Sequence, residues 1–393
     1  RYGLEKQYEN TLARHSKAYS NFFVDLFSNA KKVISDKGSL EGNIYTTIEP
    51  AVQKELEKKL LQINDKQNSD LTGAIIMDPY TGSIIAMAKV PTFSHDGKKD
   101  FDISNYRNDM VESSYEMGSV IKPLTMAVGI DTGKVNANST YNDAGFIKVR
   151  DRTMYNFDKK ARGVITLQTA LSQSLNTGFV YIARLVGNET MTKYFTSFGM
   201  TKKTDIDLPN ESAGIVGNLR TAKDVEIATA AFGQGIAISP IAVVKALSTL
   251  ANGGYIIKPH LVKEIQYSDG TIEKIPVEKT IKVLKKQTTD EVTEMLVKVV
   301  DNSLLKGAIK NDRYSIAAKT GTAQIADHVK GGYYPDKYLH SFFGYFPAYN
   351  PKYLVFFFQV NPKGTEYASD TLTEPFNQMT KFLINYFNVA PDR

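Results

Sequence analysis

The segment YLVFFFQV, Tyr353 to Val360, constrains the fold more than any other. It is apolar except at Gln359 and has the length of a strand buried within a sheet. Such a strand needs partners, and the chain offers them from both ends. Toward the C-terminus, strands are expected near 314–322, 340–347 and 352–361, then a helix near 370–388. Toward the N-terminus, GAIIMDPYTGSIIAMAKVP (73–91) reads as a hairpin, with its turn at Asp78, Pro79, Tyr80, Thr81 and Gly82.

The stretch between these strands reads mainly as helix. Amphipathic patterns run over 166–187 and, broken by Gly233-Gln234-Gly235, over 221–254. That Gly-Gln-Gly lacks a preceding strand and a third glycine, so it is no nucleotide fingerprint. Residues 255–285 alternate and hold a hairpin at YSDGT, and 288–304 reads as a helix with an N-terminal capping signal. Before the first hairpin, 43–63 reads as a short extended piece and an amphipathic helix. Residues 92–114 look loop-like, and 1–44 look helical with aromatic islands such as NFFVDLF (21–27). The order predicts an α+β fold: one antiparallel five-stranded sheet flanked by helices, with an all-helical lobe inserted. A chain of 393 residues exceeds one small core, so a two-lobed domain with an appendage is expected.

Composition removes several chemistries. There is no cysteine, which excludes disulfides, zinc-thiolate sites and cysteine catalysis. His15, His95, His260, His328 and His340 show no metal-ligand spacing, so no metal or other cofactor is expected. The net charge of +6 is spread along the chain and gives no specific sign of nucleic acid. No apolar run is long enough to span a membrane, and no signal peptide is visible. The chain opens at Arg1 rather than Met, which raises the expectation that an N-terminal anchor is missing.

Three polar clusters remain. In YEMGSVIKPLTMAVGI (115–130), Pro123 is tolerated only in the first turn of a helix, so the helix must begin near Ser119. Ser119 and Lys122 then lie on one face, at the positive end of the helix dipole. The plain alternative is an N-cap serine and a solvated lysine. Ser174 and Asn176 interrupt an amphipathic helix, and their plain alternative is a helix break with a cap. Lys319-Thr320-Gly321-Thr322 ends a strand, where glycine marks a close approach by a ligand or another backbone. An exposed strand end with a turn is the alternative there.

In this order, Ser-x-x-Lys, Ser-x-Asn and Lys-Thr-Gly resemble the triplet of the penicillin-recognising serine acyltransferases. The resemblance extends to GAIIMDPYTGSIIAMAKVPTF, to FGQGIAISPIAVVKALSTLANGGYIIKPHLV and to SFFGYFPAYNPKYLVFFFQVNP. YGLEKQYENTL is similar to the end of the non-catalytic pedestal of class B, monofunctional penicillin-binding proteins. It implies a pedestal end and linker at 1–42 and a transpeptidase domain at 43–393. Two features depart from the pattern: Met117 stands where proline is usual, and 13–42 cannot be placed.

The resemblance implies roles as well. Ser119 is the nucleophile, and Lys122 its base, with a pKa lowered by burial and by Lys319. Ser174 relays a proton, and Asn176 holds Lys122 and binds the substrate amide. Thr320 and Thr322 bind the donor carboxylate beside Gly321, in the field of Lys319. The backbone N–H groups of Ser119 and Thr322 form the oxyanion hole. The implied substrates are peptidoglycan stem peptides, with β-lactams as acylating inhibitors. A membrane glycosyltransferase is the implied partner, and the catalytic domain is expected outside the cytoplasmic membrane. A D,D-carboxypeptidase, a β-lactamase or sensor of the same fold, and a non-catalytic scaffold stay open as alternatives.

Overall fold

A computed structural model describes residues 2–13, 41–93, 103–277, 281–327 and 329–393. The aromatic island 21–27 lies outside them. The central sheet has five strands: β1 (Leu71–Met77), β2 (Ile84–Val90), β3 (Ala317–Ala326), β4 (Tyr333–Phe346) and β5 (Tyr353–Val360). Their order is β3-β4-β5-β1-β2, antiparallel throughout. The apolar segment that framed the sequence reading therefore sits at the centre, between one strand from each end of the chain. Its registers include Val355 opposite Gly344 and Ile76. Phe356, Phe357 and Phe358 are fully buried, so both faces of β5 are covered.

Two groups of helices cover them. Helix α1 (Pro50–Gln67) starts on Pro50 and buries Val52, Leu56, Leu60 and Ile63, one per turn. It packs on β1 and β2 and against the C-terminal helix, Ala368–Tyr386. The second group contains α2 (Lys122–Asp131), which reaches the sheet through the 3₁₀ turn Gly118–Ile121 on β3. In the inserted lobe follow α3 (Leu167–Ser172), α4 (Asn176–Val186) and α5 (Asp224–Ala230). Helices α6 (Pro240–Ala251) and α7 (Lys286–Lys298) complete this group, and the C-terminal helix is α8. Thr166 and Ser239 cap α3 and α6 by accepting the N–H of Thr169 and Ala242.

Four expectations need correction. The inserted lobe is not all-helical: two small antiparallel sheets, Thr140–Asp143 with Gly163–Thr166 and Phe146–Val149 with Arg152–Tyr155, lie within it. The helix expected over 166–187 is two helices broken at 173–175. The helix expected from 288 begins at Lys286 without a side-chain cap, because Thr288 donates to Asp131 instead, at 2.7 Å. Finally, β4 begins at Tyr333, well before 340, where it pairs with the end of β3 beyond the packed layers. The hairpin at YSDGT is as expected, joining Val262–Tyr267 to Ile272–Lys274, and Gly42–Thr46 adds a third strand.

Candidate active site

Ser119 lies in the 3₁₀ turn that feeds α2, and Pro123 falls in the first turn of that helix. Two glycines let this turn approach its neighbours. Gly233 has φ 84°, and a Cβ there would lie 2.0 Å from the Gly118 carbonyl oxygen. The Gly118 N–H donates to the Gly233 carbonyl at 3.0 Å, so the helix break at 233–235 serves to dock the Ser119 turn. Gly321 answers from the sheet. A Cβ on it would stand 2.4 Å from Ser341 Oγ and 2.7 Å from the Met117 carbonyl oxygen. Ser341 Oγ donates to that same carbonyl at 2.8 Å. The close approach expected at Gly321 is thus made by the 117–120 turn that carries Ser119. Met117 is buried and keeps the turn tied to β4 through its backbone.

The other end of α2 is fixed by Asp131. Its carboxylate accepts from Tyr194 Oη at 2.6 Å, the Lys285 N–H at 2.8 Å and Thr288 Oγ1 at 2.7 Å. Thr125 adds a bond to the Ala231 carbonyl at 2.7 Å. A helix pinned in this way holds Lys122, its first residue, in one place.

Lys122 and Lys319 are both fully or almost fully buried, and both reach Ser174. Lys122 Nζ lies 2.6 Å from the Ser174 carbonyl oxygen and 3.2 Å from its Oγ. Lys319 Nζ donates to Ser174 Oγ at 3.0 Å and to the Thr320 carbonyl at 2.9 Å. Neither amine has a carboxylate partner in this cluster, and burial penalises a lone charge. Burial, then the charge of Lys319, holds the pKa of Lys122 well below the ordinary lysine value. Burial alone brings Lys319 down to about 7. The ring of Phe179, 5.3 Å from Lys122 Nζ, forms one apolar wall. A neutral amine can donate to the Ser174 carbonyl and still offer a lone pair to a neighbouring hydroxyl.

Ser174 sits in the break between α3 and α4 with φ 57°. A non-glycine residue in that region is uncommon, and it turns the backbone so that carbonyl and hydroxyl both meet the lysines. The sequence expectation gave Asn176 the task of holding Lys122. Instead Ser174 holds it, and Asn176 Nδ2 donates to the Tyr155 carbonyl at 2.9 Å. The reason is local: the helix break brings the Ser174 carbonyl to Lys122 and leaves Asn176 as the first residue of α4.

Thr320 and Thr322 flank Gly321 on β3 and are half-buried. Thr322 Oγ1 accepts the N–H of Ala368 at 3.0 Å, which anchors the start of α8. The Thr322 carbonyl lies close to Gly118, so the backbones of Ser119 and Thr322 run side by side. Sequence reasoning missed Ser341, Tyr155 and Phe179, which carry no motif. It also gave no role to His340, which pairs across from Thr322 and bonds Thr371 Oγ1 and the Glu366 carbonyl, each at 2.9 Å. Among the described residues no cluster of three or more metal-ligating side chains occurs, and no helix is long and apolar enough to cross a membrane.

A sheet between two helical layers thus brings a serine-lysine turn, a polar helix break and a lysine-bearing strand together at one place. Residues 72–381 match the model of the penicillin binding protein transpeptidase domain, and the chain belongs to that family. Stage V sporulation protein D of Bacillus subtilis is 32% identical over 387 residues, covering 95% of this chain and 58% of that protein. Penicillin-binding protein 2A of the same organism is 31% identical, covering 90% and 53%. The chain thus spans little more than half the length of these curated relatives. Among solved structures, penicillin binding protein 3 of Mycobacterium tuberculosis complexed with aztreonam superposes with a TM-score of 0.82 at 25% identity, covering 90% of this chain and 81% of that one. A putative peptidoglycan glycosyltransferase from Atopobium parvulum gives 0.83 at 26% identity, covering 100% and 87%.

Proposed function

We propose that this protein is a peptidoglycan D,D-transpeptidase that works through an acyl-enzyme on Ser119. The observation that carries the reading is the pair of buried lysines meeting at Ser174 beside the serine turn. Ser119 Oγ attacks the carbonyl of the D-Ala–D-Ala peptide bond, and its proton passes to neutral Lys122. The developing oxyanion lies between the N–H groups of Ser119 and Thr322. As the C–N bond breaks, Ser174 hands a proton from Lys122 to the leaving D-alanine amine. An amine of a second stem peptide then attacks the ester, loses a proton by the reverse route and expels Ser119. Lys319, Thr320 and Thr322 hold the donor carboxylate, with Gly321 allowing the strand to lie against the turn. Asn176 binds the substrate amide.

The same reading makes 43–393 the catalytic domain and 1–42 the end of a pedestal and linker. Its support is that Gly42–Thr46 pairs with Val262–Tyr267, while Tyr8 Oη donates to Asp207 at 3.2 Å. The domain would act outside the cytoplasmic membrane, with a glycosyltransferase supplying the glycan strands. β-Lactams, mimics of the donor, would acylate Ser119.

The test is intact mass after incubation with benzylpenicillin, for the wild type and Ser119→Ala. One adduct, stable for hours and confined to the wild type, is expected. An adduct that clears in seconds would mark a hydrolase, and no adduct would return the scaffold alternative. Aminolysis of a stem-peptide donor, against simple hydrolysis, separates transpeptidase from carboxypeptidase.

A further inference from the structure

Asp143 is a fully buried carboxylate that none of the three motifs contains. It ends the strand Thr140–Asp143, and among the described residues it forms no ion pair. Its partners are neutral donors. Oδ1 accepts the Gly145 N–H at 3.0 Å, Asn156 Nδ2 at 2.9 Å and Thr177 Oγ1 at 2.9 Å, while Oδ2 accepts Asn156 Nδ2 at 3.1 Å. Arg162 acts on it only through space, so its burial is met by these neutral hydrogen bonds, as a buried carboxylate requires. All four bonds end on its oxygens as acceptors, so it dictates the orientation of the donors around it.

The first consequence falls on Asn156. With Nδ2 turned to Asp143, its Oδ1 must face the other way, and it accepts the Thr177 N–H at 3.2 Å. Thr177 is the second residue of α4, where backbone N–H groups have no partner inside the helix. Asn156 therefore caps α4 from another segment. The second consequence falls on Thr177. Its hydroxyl lies within hydrogen-bond distance of Asp143 Oδ1 at 2.9 Å, Asn156 Oδ1 at 3.1 Å and Tyr141 Oη at 3.1 Å, which ties α4 to two other segments. The third falls on Tyr155, the neighbour of Asn156, whose carbonyl takes Asn176 Nδ2 at 2.9 Å. That bond fixes the flip of the Asn176 carboxamide and commits its oxygen to accepting an N–H.

We propose that Asp143 is a positioning residue for the Ser174–Asn176 cluster, acting through Asn156 and Thr177 to hold Asn176 ready to accept an amide N–H of the acyl donor. The inference rests on the substrate-amide role of Asn176 in the proposed function. It predicts a selective defect. Asp143→Asn places an amide among donors, releases Asn156 to flip and loosens the start of α4. Acylation by benzylpenicillin, whose side chain carries an amide, should slow about 10- to 100-fold, an order-of-magnitude range for a misplaced contact of this kind. A carbapenem, which carries a hydroxyethyl group there, should lose far less.

The closing experiment combines second-order acylation rates with hydrogen exchange over residues 174–180, well below the melting temperature. Asp143→Asn should speed exchange at Thr177 and show the amide-selective loss. The charge swap Asp143→Asn with Asn156→Asp restores one acceptor facing one donor, and it should recover both readouts. In an Asn176→Ala background, Asp143→Asn should add little. Equal losses on both β-lactams, or full additivity with Asn176→Ala, would reduce Asp143 to a stability residue and overturn the proposal. Unchanged exchange at Thr177 would overturn it too. If the wild type takes no β-lactam at all, the proposed function fails, and the exchange arm still decides whether Asp143 holds α4.

Discussion

The two walls of the lysine cluster are built in opposite ways. The sheet wall, Lys319 to Thr322, is a strand with its register set residue by residue against β4, Lys319 opposite Phe343 and Thr322 opposite His340. The lobe wall, Ser174 to Asn176, has no ladder. It is a break between two short helices, with a left-handed serine, held by side chains from Asp143, Asn156 and the two lysines. The sheet wall is made stiff by backbone, and the lobe wall by polar side chains. The two amines draw on both walls: Lys319 donates to the Thr320 carbonyl of the strand and to Ser174 Oγ, and Lys122 to the Ser174 carbonyl.

The largest expected effect comes from removing the amine that joins the walls. Lys122→Met should lower acylation by about 10²–10⁴, the usual contribution of a positioned base. The same change should stabilise the fold at neutral pH. Lys122 has its folded pKa depressed below the unfolded value of about 10.5, so the unfolded state binds more protons in that window. Wild-type stability therefore rises with pH across it, and the advantage of Met shrinks to nothing near the upper end. Thermal melts from pH 6 to 10 check both sign and trend. A variant less stable than the wild type at pH 7 would mean that Lys122 is not buried at a cost.

Next in size is the sheet wall. Gly321→Ala puts a methyl group against Ser341 Oγ and the Met117 carbonyl, and overpacking of this kind costs about 1–3 kcal/mol. Acylation should fall along with stability, since the displaced atoms carry the Ser119 turn. A melt combined with an acylation rate tests whether the two losses travel together.

The lobe wall should behave differently. Ser174→Gly and Ser174→Ala both remove the bridging hydroxyl and should be equally impaired in acylation. Glycine accepts the positive φ, whereas alanine retains the left-handed cost of about 1 kcal/mol. The glycine variant should therefore melt higher, and equal melting temperatures would show that Ser174 is not strained.

The smallest effect is on pH. Removing Lys319 removes a charge that pushes the Lys122 pKa down. In Lys319→Ala, Lys122 should hold its proton to higher pH, so the acid limb of any remaining acylation should move upward. A limb that stays put or moves down would uncouple the two lysines.

Much of this was legible in the chain. The central strand is a run of apolar residues, the hairpin has a turn sequence, and Pro123 fixes where α2 begins. The break at 173–175 was not legible as a break in the pattern. Leu167, Leu171, Leu175 and Phe179 keep one apolar face at helical spacing straight through it, so periodicity cannot see that Ser174 leaves the helix. Nor was the outer half of β4, whose residues Tyr333 to Tyr338 include no buried side chain and carry no alternating signal. The three clusters were readable as residue types in order, while their partners were not.

The sequence by itself determined which chemical groups exist and most of the elements that carry them: a serine and lysine on a helix start, and a lysine and glycine on a strand. Those are local facts, written in spacing, propensity and the tolerance for proline. Only the tertiary structure decided that Ser174 rather than Asn176 holds Lys122, that both lysines are stripped of water, and that Asp143 bonds Asn156 and Thr177. Hydrogen-bond partners and pKa shifts depend on distances of a few ångströms between segments far apart in the chain. Those distances are set by the packing of the lobe against the sheet.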